Sequence, residues 1–223
     1  MIVETSTYKQ IFDTLLVYEE KMTKRMEYAL AGHGGRDIRK GLVKRWPVVK
    51  FAKATYDHNT CYMFARFNSK KDYEQGMIIT GFAIEYETEH GKQLALLAIN
   101  EYVKRCIIIS NHAIRRVRER LHWEEVDWYT LVQRIMTMAY GATWCQDIHR
   151  YGDPLEFSYG CIKGEFCGRE MGDGVLMFRT FIGKEQMNDW RVEAHQKAAD
   201  WYERNKYMFQ LLGKSFEGMQ HLK

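Results

Sequence analysis

A change of period at residue 110 constrains this chain more than any other feature. Residues 106–109, Cys-Ile-Ile-Ile, are a short apolar run of strand type, and residues 110–121, Ser-Asn-His-Ala-Ile-Arg-Arg-Val-Arg-Glu-Arg-Leu, switch to helical spacing. Ile114, Val117 and Leu121 fall at i, i+3 and i+7, the buried stripe of an amphipathic helix. Ser110 and Asn111 are good N-cap residues, because their side-chain oxygens accept from the unpaired N–H groups of a first turn. His112, Arg116 and Arg120 follow at steps of four, which keeps them on one helix face with a drift of about 40° per step. An imidazole and two guanidiniums thus begin at a helix N-terminus, where free N–H groups and the macrodipole attract anions. The row fits a phosphate, although an Arg-rich helix face is also an ordinary solvated surface.

Around this stretch the pattern predicts an α+β protein: antiparallel sheet or sheets packed by helices, with a long helix near each end. Residues 5–31 read as a helix with Ile11, Leu15, Tyr18, Met22, Met26 and Leu30 as its stripe, capped by Thr5 or Ser6 and closed by Gly32-His33-Gly34-Gly35. Residues 36–45 predict a second, basic helix. Strands are expected over 48–56, 60–67, 77–88 and 93–99, joined by turns at Asp57-His58-Asn59 and Glu89-His90-Gly91-Lys92. Their short gaps point to an antiparallel meander. In it Phe82, Ile84 and Tyr86 share one face, and Glu85, Glu87 and Glu89 read as a solvent-facing edge without site chemistry. After the basic helix, residues 128–140 predict another helix, with Leu131, Ile135 and Met138 inward and Gly141 as its C-cap. Residues 142–151 are ambiguous. Strands over 157–163, 165–170 and 175–182 follow, the last nearly all apolar at its start and therefore central. Residues 185–212 read as a long helix packing on the body. The division expected is 1–100, a helix plus meander of open role; 101–187, a strand–helix–helix–β core; and 188–223, the C-terminal helix.

The totals restrict the class without choosing a function. The 223 residues include only two prolines, the net charge is +4, and 46% of the residues are hydrophobic. That is enough apolar material for one or two compact domains. Charge so near neutrality does not by itself argue for nucleic acid; the local run of Arg115, Arg116, Arg118 and Arg120 does so more strongly. The five cysteines are an odd number and form no Cys-x-x-Cys pair, so reduced thiols and a cytoplasmic location are expected. No basic segment followed by an apolar run opens the chain, and no apolar run approaches membrane length. Cys145, His149, Cys161 and Cys167 have ligand chemistry suited to zinc, but their spacing matches no standard finger. No metal and no cofactor are therefore expected.

The order strand, His-bearing helix, second helix and three strands resembles the barnase–EndoU–colicin–RelE nuclease superfamily. The closer likeness is to its small toxin-like and phage-encoded members, whose first helix opens His-Ala-x-x-Arg-x-x-x-Arg, here His112-Ala113-Ile114-Arg115-Arg116-Val117-Arg118-Glu119-Arg120. The resemblance covers residues 106–184, about a third of the chain, and Thr180 matches the polar residue that ends the family's sheet. It implies a metal-independent endoribonuclease in which the ribose 2′-OH attacks the adjacent phosphorus. His112 would be the acid/base, Arg116 and Arg120 phosphate clamps, and Thr180 a hydrogen-bonding positioner. Arg115, Arg118, Arg179 and Lys184 would line the nucleic-acid path. Histidine suits proton transfer near neutrality, and arginine holds two phosphate oxygens. A second proton carrier is missing from the motif; Glu165, Glu170 and Tyr159 are the candidates. RNA is the expected partner, with a protein antitoxin or host target as a further one and no membrane. The competing readings are a non-catalytic nucleic-acid binder and a host-protein inhibitor on the same fold.

Overall fold

The computed structural model describes residues 2–76, 79–99, 104–140, 144–147, 156–161, 163–193, 195–197 and 200. Among them run α1 (Tyr8–Ala31), α2 (Arg36–Arg39), β1 (Val48–Tyr56), β2 (Asn59–Phe67), α3 (Lys70–Glu74), β3 (Ile79–Thr88), β4 (Gly91–Ile99), β5 (Lys104–Ile109), α4 (Asn111–Arg120), α5 (Trp128–Tyr140), β6 (Trp144–Asp147), β7 (Glu156–Cys161), β8 (Gly164–Gly172) and β9 (Val175–Gly183). The protein is α+β, as the pattern predicted.

The sheet differs from the expectation in one respect. All nine strands among the described residues join one mixed sheet in the order β1-β2-β3-β4-β5-β9-β8-β7-β6. Every neighbouring pair is antiparallel except β5 and β9, which run parallel through Cys106↔Val175 to Ile109↔Phe178. A parallel pair cannot be made by a hairpin; it needs a long crossover, here supplied by α4, α5 and β6–β8. Two-residue turns connect β1 to β2 and β8 to β9, whereas β2 reaches β3 through α3. Asp57 and His58 both take positive φ between β1 and β2, as do Asp173 and Gly174 between β8 and β9, which suits two-residue hairpins.

Both faces of the sheet are covered, and the central strands are apolar on both sides. Leu94, Leu96, Ile107, Ile109, Leu176 and Phe178 join Ile114 and Val117 of α4 and Leu131, Val132 and Ile135 of α5 in one core. The alternate residues Ala95, Leu97, Cys106, Ile108 and Val175 join Ile11, Leu15, Met22 and Leu30 of α1 in the other. Period-two alternation of side chains produces this division, and burial on both faces explains why β4 and β5 read as continuous apolar runs. The predicted α1 stripe, Ile11, Leu15, Tyr18, Met22, Met26 and Leu30, is buried throughout. Its cap is Thr7, in a reciprocal capping box with Gln10, rather than Thr5 or Ser6. The basic helix expected over 36–45 stops at Arg39, where Lys40 and Gly41 turn the chain. The start of the C-terminal helix is also corrected: Lys184–Gln186 is a 3-10 turn, and helical residues begin at 189. Most of the remainder, and Gly141, lie outside the described residues. None of the described helices is long and apolar enough to cross a membrane.

Helix α5 is fastened to the sheet by its last residue. The Tyr140 hydroxyl accepts from the Phe82 N–H at 2.9 Å and lies 2.7 Å from the Leu97 carbonyl and 2.5 Å from that of Phe82, between which its one proton is shared. Gly81 makes room for this ring: a Cβ there would stand 2.2 Å from Phe64 and 2.7 Å from Tyr140. Tyr140→Phe should therefore cost about 1–3 kcal/mol in urea unfolding, the usual penalty for an orphaned buried amide. Gly81→Ala should destabilise through overpacking. An unfolding midpoint unchanged in both variants would refute this anchoring.

Candidate functional site

The basic helix is placed by the sheet joint. β5 ends at Ile109, the Ser110 N–H donates to the Phe178 carbonyl at 3.1 Å, and Ser110 Oγ accepts from the Ala113 N–H at 3.2 Å. That serine cap starts α4 at the C-terminal end of β5, beside β9. Ala113, Ile114 and Val117 are buried beneath it, which turns His112, Arg115 and Glu119 outward as exposed residues and leaves Arg116 half-exposed.

His112 is held by its neighbours in a definite form. Arg115 Nη2 lies 3.2 Å from His112 Nδ1. A guanidinium only donates, so Nδ1 accepts and the ring proton resides on Nε2. Partial desolvation, then the charges of Arg116 and Arg115, hold the imidazole below its ordinary pKa against the opposing pull of Glu119. The ring is therefore neutral at neutral pH and offers an Nε2–H donor. Arg116 Nη1 pairs with Glu119 Oε2 at 2.7 Å, and Arg115 Nε lies 3.6 Å from Glu119 Oε1. These are solvent-exposed pairs of little individual strength, which an incoming phosphate can displace.

The other expected site residues go elsewhere. Arg120 donates to the backbone carbonyl of Phe181 and so binds the helix end to β9. Arg118 donates to the carbonyls of Glu124 and Val126, both at 3.2 Å, and braces the α4–α5 loop. Thr180 pairs with Cys167 across β8 and β9, and a register shift follows immediately, Gly168 pairing with Phe178. Phe166 and Phe181, the adjacent pair, lie in the α4-side core, so Thr180 and Cys167 project to the opposite face and Thr180 does not face His112. Arg179 is exposed at this irregularity, and its carbonyl lies 3.5 Å from Ser110 Oγ. Lys184 is exposed just past β9, where Gly183 adjoins Arg120. The structure thus brings together His112, Arg115 and Arg116, while only the backbone carbonyl of Arg179 lies beside the helix cap.

None of the three candidates for the second proton carrier is brought to His112. Glu165 is fully buried, pairs with Arg191 Nη1 at 2.6 Å, and shares the face of Cys167. The Tyr159 ring packs 5.4 Å from that of Phe178 inside the core. Glu170 is exposed opposite Leu176, near the start of β9. Cys161 belongs to the α4-side core whereas Cys167 faces away from it, so these two thiols cannot share a metal ion. Cys145 and His149 fall where side chains are not described. Among the described residues, no three His, Cys, Asp or Glu side chains gather as a metal site.

One cluster was read wrongly from sequence. Glu85 is not on a solvent-facing edge: β3 is an interior strand, and the Glu85 side chain is only 12% exposed. Its carboxylate accepts from the Tyr62 hydroxyl, Trp128 Nε1 and Lys92 Nζ, each at 2.6 Å. Burial pulls its pKa up, but the bonds from Lys92, Tyr62 and Trp128 outweigh burial and hold it below the ordinary carboxylate value. Lys92 also leans over the Trp128 ring, 5.1 Å from its centre, and Lys53 stands over Tyr62 and Tyr129 at 5.8 and 5.9 Å. Asn111, the residue before His112, donates through Nδ2 to the Lys92 carbonyl at 3.3 Å, so this cluster borders the α4 N-terminus. The signal was hidden because it needs the register: Lys53 lies directly opposite Tyr62, and Glu85 diagonally from it.

Comparison with known protein families, curated proteins and solved structures returns no match, so the likeness to nuclease-type proteins stands on the α4 motif itself. Two measurements follow from the geometry. An NMR titration of His112 should show a midpoint below the ordinary histidine value of 6.5, and Arg116→Gln should raise it; a midpoint at or above 6.5 in the native protein would contradict the packing of charges described. For Glu85, a depressed folded pKa means stability that is present above the unfolded value of 4.5 and lost as pH falls through the folded one. Glu85→Gln should therefore flatten the loss of stability measured by denaturant melts below pH 4.5, and an unchanged acid profile would refute the linkage.

Proposed function

We propose that this protein acts on RNA, gripping the sugar–phosphate chain with the exposed N-terminal face of α4. The observation that carries this reading is the convergence of His112, Arg115 and Arg116 on one solvent-facing turn at a helix N-terminus. Two guanidiniums, an Nε2–H donor and a helix end are anion donors of three kinds within one face. The side-chain pairs that hold them are weak surface pairs, so a phosphate meets a low barrier to displacing Glu119. Arg120 and Arg118 support the helix rather than contact the ligand. The choice of RNA rests on the resemblance of the His-Ala-x-x-Arg-x-x-x-Arg segment.

Cleavage is the second reading, favoured by the depressed pKa of His112. A neutral imidazole beside two guanidiniums can take the proton of a ribose 2′-OH once Nδ1 is released by Arg115 or the ring tautomer shifts. The guanidiniums would stabilise the crowded phosphate. The incomplete acid/base pair places binding ahead of cleavage.

The experiment is incubation of the purified protein with RNA in EDTA beside His112→Ala and Arg115→Ala/Arg116→Ala, with binding read by anisotropy across a salt series. Engagement of up to two phosphates by Arg115 and Arg116 predicts a log–log salt slope of about −1.4. The double variant should bind markedly less. Fragments from the native protein that vanish in His112→Ala would establish the nuclease; intact RNA with salt-dependent binding would establish the binder; no binding at low salt would end both readings.

A further inference from the structure

We propose that Trp128, Tyr129, Lys92 and Lys53 form a base-stacking subsite next to the phosphate grip of α4, so that the RNA this protein takes is single-stranded. The inference rests on the reading of α4 as an RNA-phosphate surface and adds to it a requirement for exposed bases.

Four observations carry it. Trp128 and Tyr129 begin α5 as partly buried rings at the margin of the α4-side core, whereas most other large apolar side chains of α5 are fully buried. Cations stand against these rings, Lys92 over Trp128 and Lys53 over Tyr129. Aromatic faces interleaved with lysines, rather than either alone, are what single-stranded nucleic-acid surfaces use: the ring stacks on a base while the ammonium meets the backbone. The rings are also fixed before any ligand arrives. Glu85 holds Trp128 Nε1 and Lys92 Nζ, and the Tyr129 ring rests 6.1 Å from that of buried Tyr62. A prearranged platform loses less freedom on binding than a mobile one. Finally, Lys92 is joined through its carbonyl to Asn111, immediately before His112, so one chain can pass from the platform to the α4 cations. A duplex hides its base faces and would meet only the phosphate grip.

Glu85 is a positioning residue here: it touches no base, but it aims the indole and the ammonium. A protein partner using the same rings is the competing occupant, and the test separates the two.

The test compares two 2′-O-methyl oligonucleotides of equal length, which lack the free 2′-OH needed for cleavage: one with bases and one abasic throughout, carrying the same phosphates. Binding of each to the native full chain is measured by anisotropy at fixed salt. The base-bearing strand should bind about tenfold or more tightly than the abasic strand, and a duplex of the same sequence should bind like the abasic strand. Tyr129→Leu, whose ring makes no hydrogen bond described above, should narrow the gap, and Trp128→Leu should narrow it further. Arg115→Ala/Arg116→Ala should weaken both strands by the same factor and leave the gap intact. Equal binding of the two strands by the native protein would overturn the stacking subsite while leaving the phosphate grip standing. Failure of both strands to bind would overturn the α4 reading and the subsite with it. A gap unaffected by either ring substitution would also overturn the subsite, because the bases would then be recognised elsewhere.

Discussion

The parallel contact of β5 with β9 is the joint on which the arrangement depends. It spans only Cys106–Ile109 against Val175–Phe178, yet it joins the meander β1–β4 to the strands β6–β9 in one sheet. Both partners are apolar on both faces, so the joint is sealed by α1 below and by α4 and α5 above. The cap of α4 is part of the same joint, because the Ser110 N–H continues the ladder onto the Phe178 carbonyl. The position of His112 is thus set by strand pairing deep in the molecule rather than by the helix alone.

A second dependence runs through Glu85. A carboxylate taken largely out of water costs free energy unless its lone pairs are filled. Here three donors fill them, one from β2, one from β4 and one from α5. The same bonds align the start of α5 with the strand that touches α4. One acidic side chain therefore ties the aromatic surface to the cationic one.

Much of this was legible in the residues. Hairpin turns marked by Asp57-His58 and Glu89-His90 announced themselves, because only turn chemistry fits them between the strand-like runs. The α1 stripe and the Ser110 cap were legible for the same local reason. The single mixed sheet was not, since nothing in four-residue apolar runs states which strand lies beside which. Nor was the register irregularity after Cys167, which carries Thr180 to the far face; a change of one residue in pairing leaves no mark in composition. Glu85 was misread because alternation with Tyr86 and Thr88 is the same for an edge strand and for an interior strand whose carboxylate meets a helix. The site showed the matching division: exposure of His112, Arg115 and Arg116 follows from helical period, whereas the commitment of Arg118 and Arg120 to carbonyls depends on tertiary neighbours.

The bond from Arg120 to Phe181 has a consequence beyond fastening the helix. β5 stops pairing at Ile109, while β9 continues to Gly183, so the last residues of β9 have no strand on that flank among the described residues. Such a flank is a template on which a foreign chain can add, and natural proteins blunt theirs with charge or cover. Helix α4 supplies the cover and its final guanidinium the charge. The arginine that the nuclease resemblance would assign to a phosphate instead occupies a backbone carbonyl of β9, an acceptor that an added strand would need.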